Sequence, residues 1–189
     1  MERIVVRAPT EQDAPTERPR QKVRRSPLQV GAAHDPAERE ADRVADQVMA
    51  ALRDRGTTAA EREAPSRIRR STAPAGAIGP EGGALSDDVA GRLQATRGGG
   101  RALTPSIRRP MEQAFGTDFG RIRLHEGPAA ATLNADLGAS AFTLGRDIYV
   151  SQPIQPARAG DQHLLAHELA HTVQQSGSDS GPAARTIRR

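Results

Sequence analysis

Apolar positions are sparse along the chain, and their spacing sorts it into segments. Residues 1–30 alternate Arg, Glu, Pro and Gln with few apolar side chains, which predicts a disordered basic arm. Residues 34–55 differ: Ala41, Val44, Ala45, Val48, Met49 and Leu52 recur at helical spacing. Asp35 suits the N-cap, Pro36 the first helical position and Glu38 the first turn, while Arg53, Arg55 and Gly56 suit the end. Residues 56–101 carry little apolar mass and read as a flexible linker, with a short, loosely packed helix over Ser86–Ala95 bearing Val89 and Leu93 behind Leu85. As a coil, that linker would span on the order of 40 Å, enough to bring the early helix back to the rest.

Residues 102–176 hold the dense pattern. Thr104-Pro105 opens a helix through Ala114 with Ile107 and Met111 inward, ending at Gly116. The alternation Arg121-Ile122-Arg123-Leu124-His125 predicts a strand with Ile122 and Leu124 buried. Pro128 starts a helix to Leu137, closed by Gly138. Ala141–Leu144 and Asp147–Val150 flank Gly145-Arg146 and predict a hairpin with a II′-type turn. A loop with Pro153 and Pro156 leads to a last helix over 163–175, with Gly160 and Asp161 at its start (Asp161 as N-cap) and Ser176-Gly177 at its stop. Residues 177–189 read as a disordered tail. The expectation is one small α+β domain, helices around a short strand and hairpin sheet, made of 31–55 and 102–176.

Composition sharpens this picture. Only 36% of residues are hydrophobic and 2% aromatic. Phe115, Phe119, Phe142 and Tyr149 are the four aromatics, so the core is expected in the second half. The net charge is +4, with Lys22 the single lysine among arginines. The charge is mixed in sign and no aromatics accompany the basic clusters, so nucleic acid is not expected as a partner. The absence of cysteine excludes disulfides, thiolate metal sites and a cysteine nucleophile. No stretch is long and apolar enough to span a membrane, and MERIVVRAPTEQDAP lacks the apolar core of a secretory signal. A cytoplasmic location is therefore expected.

The chemistry centres on His167-Glu168-Leu169-Ala170-His171. Histidines four apart on a helix share a face and can reach one Zn²⁺, and Glu168 is placed to take a proton from water there. Glu38 and Asp42 also share a helical face, which Ala45, Met49 and Leu52 continue. Two carboxylates at the head of an apolar face are costly to bury unpaired. Glu38 is thus the candidate third ligand, and Asp42 the candidate partner for the outer N–H of a ligating imidazole. On that segment alone, acids favoured by the helix dipole account for the pattern more simply. His125 is the reserve third ligand, with Asp161 and His163 behind it, and His34 reads as solvated. His125 and Tyr149 are candidate donors to a developing oxyanion, ahead of Arg123, although Tyr149 also suits the core. The hairpin edge is a candidate for binding substrate as an added strand.

These residues carry a family resemblance. FGTDFGRIRLHEGPAAATLNADLGASAFTLGRDIYVS followed by LLAHELAHTVQQ resembles the extracellular contractile injection system (eCIS) core domain, a bacterial metallopeptidase-like family with HExxH. HDPAEREADRVADQVM is similar to that family's upstream motif, so the likeness covers 34–52 and 103–175. It implies association with phage-tail-like injection systems and with the N-terminal parts of toxins, and export by such a system as an alternative to a cytoplasmic location. The chain ends soon after the motif, which carries the expectation that no toxin domain follows.

A second resemblance bears on mechanism. Gluzincin peptidases such as thermolysin and the CAAX-processing proteases pair HExxH with a downstream Glu-x-x-x-Asp. Glu38-Arg39-Glu40-Ala41-Asp42 has that spacing but lies upstream, a permuted order. A metzincin would need Gly and His where this chain has Gln174 and Gly177. The resemblances together imply a zinc metalloendopeptidase: His167, His171 and Glu38 as ligands, Glu168 as general base, and a peptide or protein as substrate. Injection-particle components would be further partners. The rival is a non-catalytic targeting or packaging module with a structural or vestigial zinc site.

Overall fold

The side chain of Asp35 accepts a hydrogen bond from the N–H of Glu38 (2.9 Å), and this cap fixes where the first helix begins. The computed structural model describes residues 28–32, 35–56, 82–176 and 186–188. Helix α1 spans Pro36–Gly56 and follows a short strand, β1 (Gln29–Val30). The chain then forms β2 (Gly83–Ala84), α2 (Asp87–Thr96), β3 (Arg101–Ala102), α3 (Pro105–Phe115), β4 (Arg123–His125) and α4 (Pro128–Leu137). The hairpin β5 (Ala141–Leu144) and β6 (Asp147–Val150), helix α5 (Ala159–Ser176) and β7 (Thr186–Ile187) complete the mixed α+β fold.

Two small sheets organise these elements. The larger has the order β3-β4-β6-β5, with β4 and β6 parallel and the other pairs antiparallel. The smaller has the order β2-β1-β7. Gly145 turns the hairpin with φ of 64°, as its first central position demands.

Strand alternation divides the core between the two faces of the larger sheet. Leu124, Ala141, Ile148 and Val150 pack on one face with Ala45 and Val48 of α1, Ile107 and Met111 of α3, and Leu165 and Leu169 of α5. Phe142, Leu144 and Tyr149 pack on the other with Leu93 of α2, Leu133 and Leu137 of α4, and Ile187 of β7. Leu165 and Leu169 are fully buried, each worth about 1.5–3 kcal/mol of hydrophobic stabilisation. That burial holds α5 against the sheet and α1.

Three sequence expectations are corrected here. Part of the expected linker is ordered: β2, α2 and β3 lie within 82–102, and Leu93 is wholly buried rather than loosely packed. Residues 29–30 and 186–187, expected in the arm and the tail, form β1 and β7, which pair in parallel. Asp161 lies inside the first turn of α5, not at its N-cap, because the helix begins at Ala159. The disorder expected for 1–27, 57–81 and 177–185, and the reading of His34, fall outside the described residues.

Candidate metal centre

Helices α1 and α5 meet in antiparallel register, so acids on one face histidines on the other. Glu38 faces His171 and His167, Asp42 faces His167, and Asp46 faces His163. Both sets repeat every four residues, which keeps each on one stripe of its helix.

At the head of this ladder three atoms form a near-equilateral triangle. Glu38 Oε2 lies 3.3 Å from His167 Nε2 and 3.2 Å from His171 Nε2, and the two Nε2 atoms are 3.0 Å apart. Ligands about 2.0–2.1 Å from a tetrahedral Zn²⁺ sit about 3.3 Å from one another, so these edges match the metal's coordination shell. The outer nitrogens point to the same use. His167 Nδ1 is 2.9 Å from Asp42 Oδ1, and His171 Nδ1 is 2.9 Å from Gln174 Oε1. The Gln174 amide is oriented by its Nε2, which donates to the Ala37 carbonyl (3.1 Å). An imidazole that donates outward from Nδ1–H and carries no second proton turns its Nε2 lone pair inward. Two imidazole nitrogens and a carboxylate oxygen thus converge in a cluster that could hold a metal ion.

The titration of these groups reflects the same convergence. Burial alone would raise the Glu38 pKa, but hydrogen bonds and charge from His167 and His171 outweigh it and lower it to about 2. Burial opposes the cationic form of His167, yet the Glu38 hydrogen bond and the charges of Glu168, Glu38 and Asp42 raise its pKa to about 9. Without metal, a proton fills the role. The Glu38 contribution to stability is complete above its ordinary 4.5 and is lost as pH falls towards 2. The His167 contribution is complete below its ordinary 6.5 and is lost as pH rises through 9. Metal-free protein is therefore expected to lose urea resistance as pH rises from 6.5 through 9, with that alkaline loss removed by zinc. Urea midpoints measured across pH with and without zinc check this.

Glu168 follows His167 on α5 but turns towards the sheet. Its Oε2 accepts from the Thr143 hydroxyl (2.7 Å), and the residue is 1% exposed. Burial raises its pKa, against the pull of His171, His167 and the Thr143 hydroxyl and with a push from Glu38. A bound dication would favour its ionised form.

The structure does not bring His125 and Tyr149 to this centre. His125 Nε2 pairs with Asp147 Oδ1 (2.7 Å), and its ring stacks on Tyr149, which stacks on Phe142. The Tyr149 hydroxyl pairs with Thr96 Oγ1 (3.1 Å). The reason is the two-residue period of a strand: Thr143 and Ile148 face α5, so Phe142 and Tyr149 face away, and His125 is in register with Tyr149. Both residues line a cavity of about 310 Å³ on that far side. Arg123 uses its Nη1 to donate to the carbonyls of Gly120 and Ile122. Asp161 accepts from the Gln155 N–H, and His163 pairs with Asp46, so neither reserve ligand joins the triangle.

Sequence reasoning missed Gln174 and Thr143. Gln174 had a signal, lying three residues beyond His171 on the same helical face. Thr143 had none, because its meeting with Glu168 is set by how α5 packs on the sheet. Gln174→Ala is expected to weaken zinc binding about 10–100-fold, as measured by competition with a chromogenic chelator.

The fold and site together define a class: a small α+β domain with a buried carboxylate–imidazole–imidazole cluster between two packed helices. Residues 102–179, less than half of the chain, match the family model of the eCIS core domain. This similarity points to an association with contractile injection systems. The matched stretch supplies His167, Glu168 and His171, whereas Glu38 lies upstream of it. No curated protein and no solved structure matches the chain. Among the described residues, no helix is long and apolar enough to cross a membrane.

Proposed function

We infer that this domain is a zinc-dependent peptidase of zincin-like design, associated with a contractile injection system. The observation that carries the reading is the close triangle of Glu38 Oε2, His167 Nε2 and His171 Nε2, with Glu168 next to His167 on α5. When bound, zinc supplies a Lewis acid that polarises a peptide carbonyl and acidifies water. Glu38, His167 and His171 would hold the ion, and Asp42 and Gln174 would keep the two imidazoles in their ligating tautomer. Glu168 accepts the proton of the attacking water and returns it to the leaving nitrogen. Thr143 fixes the carboxylate in its rotamer through the hydroxyl bond. The Glu38–Asp42 spacing, like that of the gluzincins, supports the same division of roles.

A second reading is favoured by one observation. His171, Glu168 and Glu38 are 0%, 1% and 4% exposed, which also suits a purely structural zinc in a targeting or packaging module. Incubation of the zinc-loaded protein with a peptide library, read by mass spectrometry, separates the two. Cleavage that a chelator stops and zinc restores supports the peptidase. A folded, zinc-loaded protein that cleaves nothing in the library supports the structural module.

A further inference from the structure

Thr143 stands where the site meets the sheet edge. Its hydroxyl holds Glu168, while its backbone N–H and C=O turn away from β6. That edge is occupied. The Thr143 N–H donates to the Arg188 carbonyl (2.8 Å), and the Arg188 N–H donates to the Thr143 carbonyl (3.1 Å), in antiparallel sense. Reciprocal bonds of this kind are how an extended peptide adds to a sheet. A strand so paired runs about 4.8 Å from β5, beside the carboxylate that Thr143 holds.

A second contact fastens the same residue. The Arg188 guanidinium pairs with Asp35, whose other carboxylate oxygen caps α1 at Glu38. Gly31 leaves room for it, because a Cβ there would lie 2.9 Å from Arg188 Nη1. The preceding Ile187 is fully buried and anchors the segment in the core. Arg188 is the part that can release, since among the described residues it is tied by two backbone bonds to the edge and by an ion pair to Asp35.

We propose that the outer edge of β5 at Thr143 is a docking edge for an extended peptide with a basic residue opposite Thr143. Arg188 is its intramolecular occupant, with the Arg188–Asp35 pair as the latch. The proposal rests on the peptidase reading only in taking this edge as the place where peptide lies. The competing peptide is defined by the chemistry of Arg188: backbone groups to pair with Thr143 and a cation to take over Asp35.

The test is amide exchange of Thr143 by NMR in the full chain without zinc, for wild type and Arg188→Pro. Proline removes the N–H and the guanidinium, leaving the residue-188 carbonyl as the one remaining tie to Thr143, and leaves Ile187 in place. The probe is acetyl-Arg-Thr-Val-amide, which offers the Arg backbone groups to Thr143 and leaves the Ile187 position to the chain. Thr143 exchange is expected to rise at least ~10-fold in the variant, and the probe is expected to slow it again while leaving wild type unchanged. Equal rates in the two chains, or a fast rate in the variant that the probe does not slow, would overturn the proposal. If Arg188→Pro fails to fold, Arg188→Ala decides by the same measurement: probe that slows Thr143 exchange supports the proposal, and probe without effect overturns it. No cleavage is read, so a chain that is reprotected by the probe yet inactive with zinc counts against the peptidase alone.

Discussion

Saturating zinc, at about a thousand times its dissociation constant, is expected to add about 4 kcal/mol to the stability of the folded chain. For a domain of this size that raises the unfolding midpoint by on the order of 15 °C in scanning calorimetry. The size of the effect follows from how the ligands are arranged. Glu38 comes from α1 and both histidines from α5, so an unfolded chain has no preformed site and the binding energy appears as folding energy. His171→Ala is expected to abolish the rise. His171 is fully buried, its Nε2 forms two edges of the triangle, and the remaining two groups cannot complete a tetrahedral shell. A His171→Ala protein that still gains stability with zinc as wild type does would place the metal elsewhere.

Glu168→Gln is expected to retain zinc and fold while lowering kcat/KM about 10²–10⁴-fold. The substitution is nearly isosteric, and the Thr143 hydroxyl can donate to the new amide oxygen as it does to Oε2. Glu168 holds none of the three ligand atoms, so metal stoichiometry has no reason to change. What disappears is the group that takes a proton. In wild type, burial favours the neutral acid, so activity is expected to fall on the acid side as Glu168 protonates. The Gln variant should lose that limb of the pH profile. Cleavage within a factor of a few of wild type, at equal zinc content, would remove Glu168 from the role of base.

The parts of the fold that were readable from sequence are those written locally. Asp35-Pro36 ahead of a helical stripe marks α1, Pro128 and Gly138 bracket α4, and Gly145 marks the hairpin turn. The cluster was readable for the same reason: Glu38 with Asp42, and His167 with His171, are each one helical turn apart. What escaped was non-local. β1, β2, β3 and β7 are two residues each, too short for any alternation to show, and exist because distant partners pair with them. Leu93 gave only an isolated apolar signal within a polar stretch, yet it fills the core beneath α4. His125 and Tyr149 were assigned to the site because sequence shows which residues share a strand face without showing which face a helix covers.

The third arm of the triangle comes from far upstream, 129 residues from His167. Helix α1 therefore holds its place by side-chain interlock with α5, together with the backbone pairing of β1 to β2 and β7, and not by closeness along the chain. Cutting the chain between residues 56 and 82 would yield two polypeptides whose reassembly depends on those surfaces. Zinc would then act as a rivet between them, and titrating it would reconstitute the whole from its pieces.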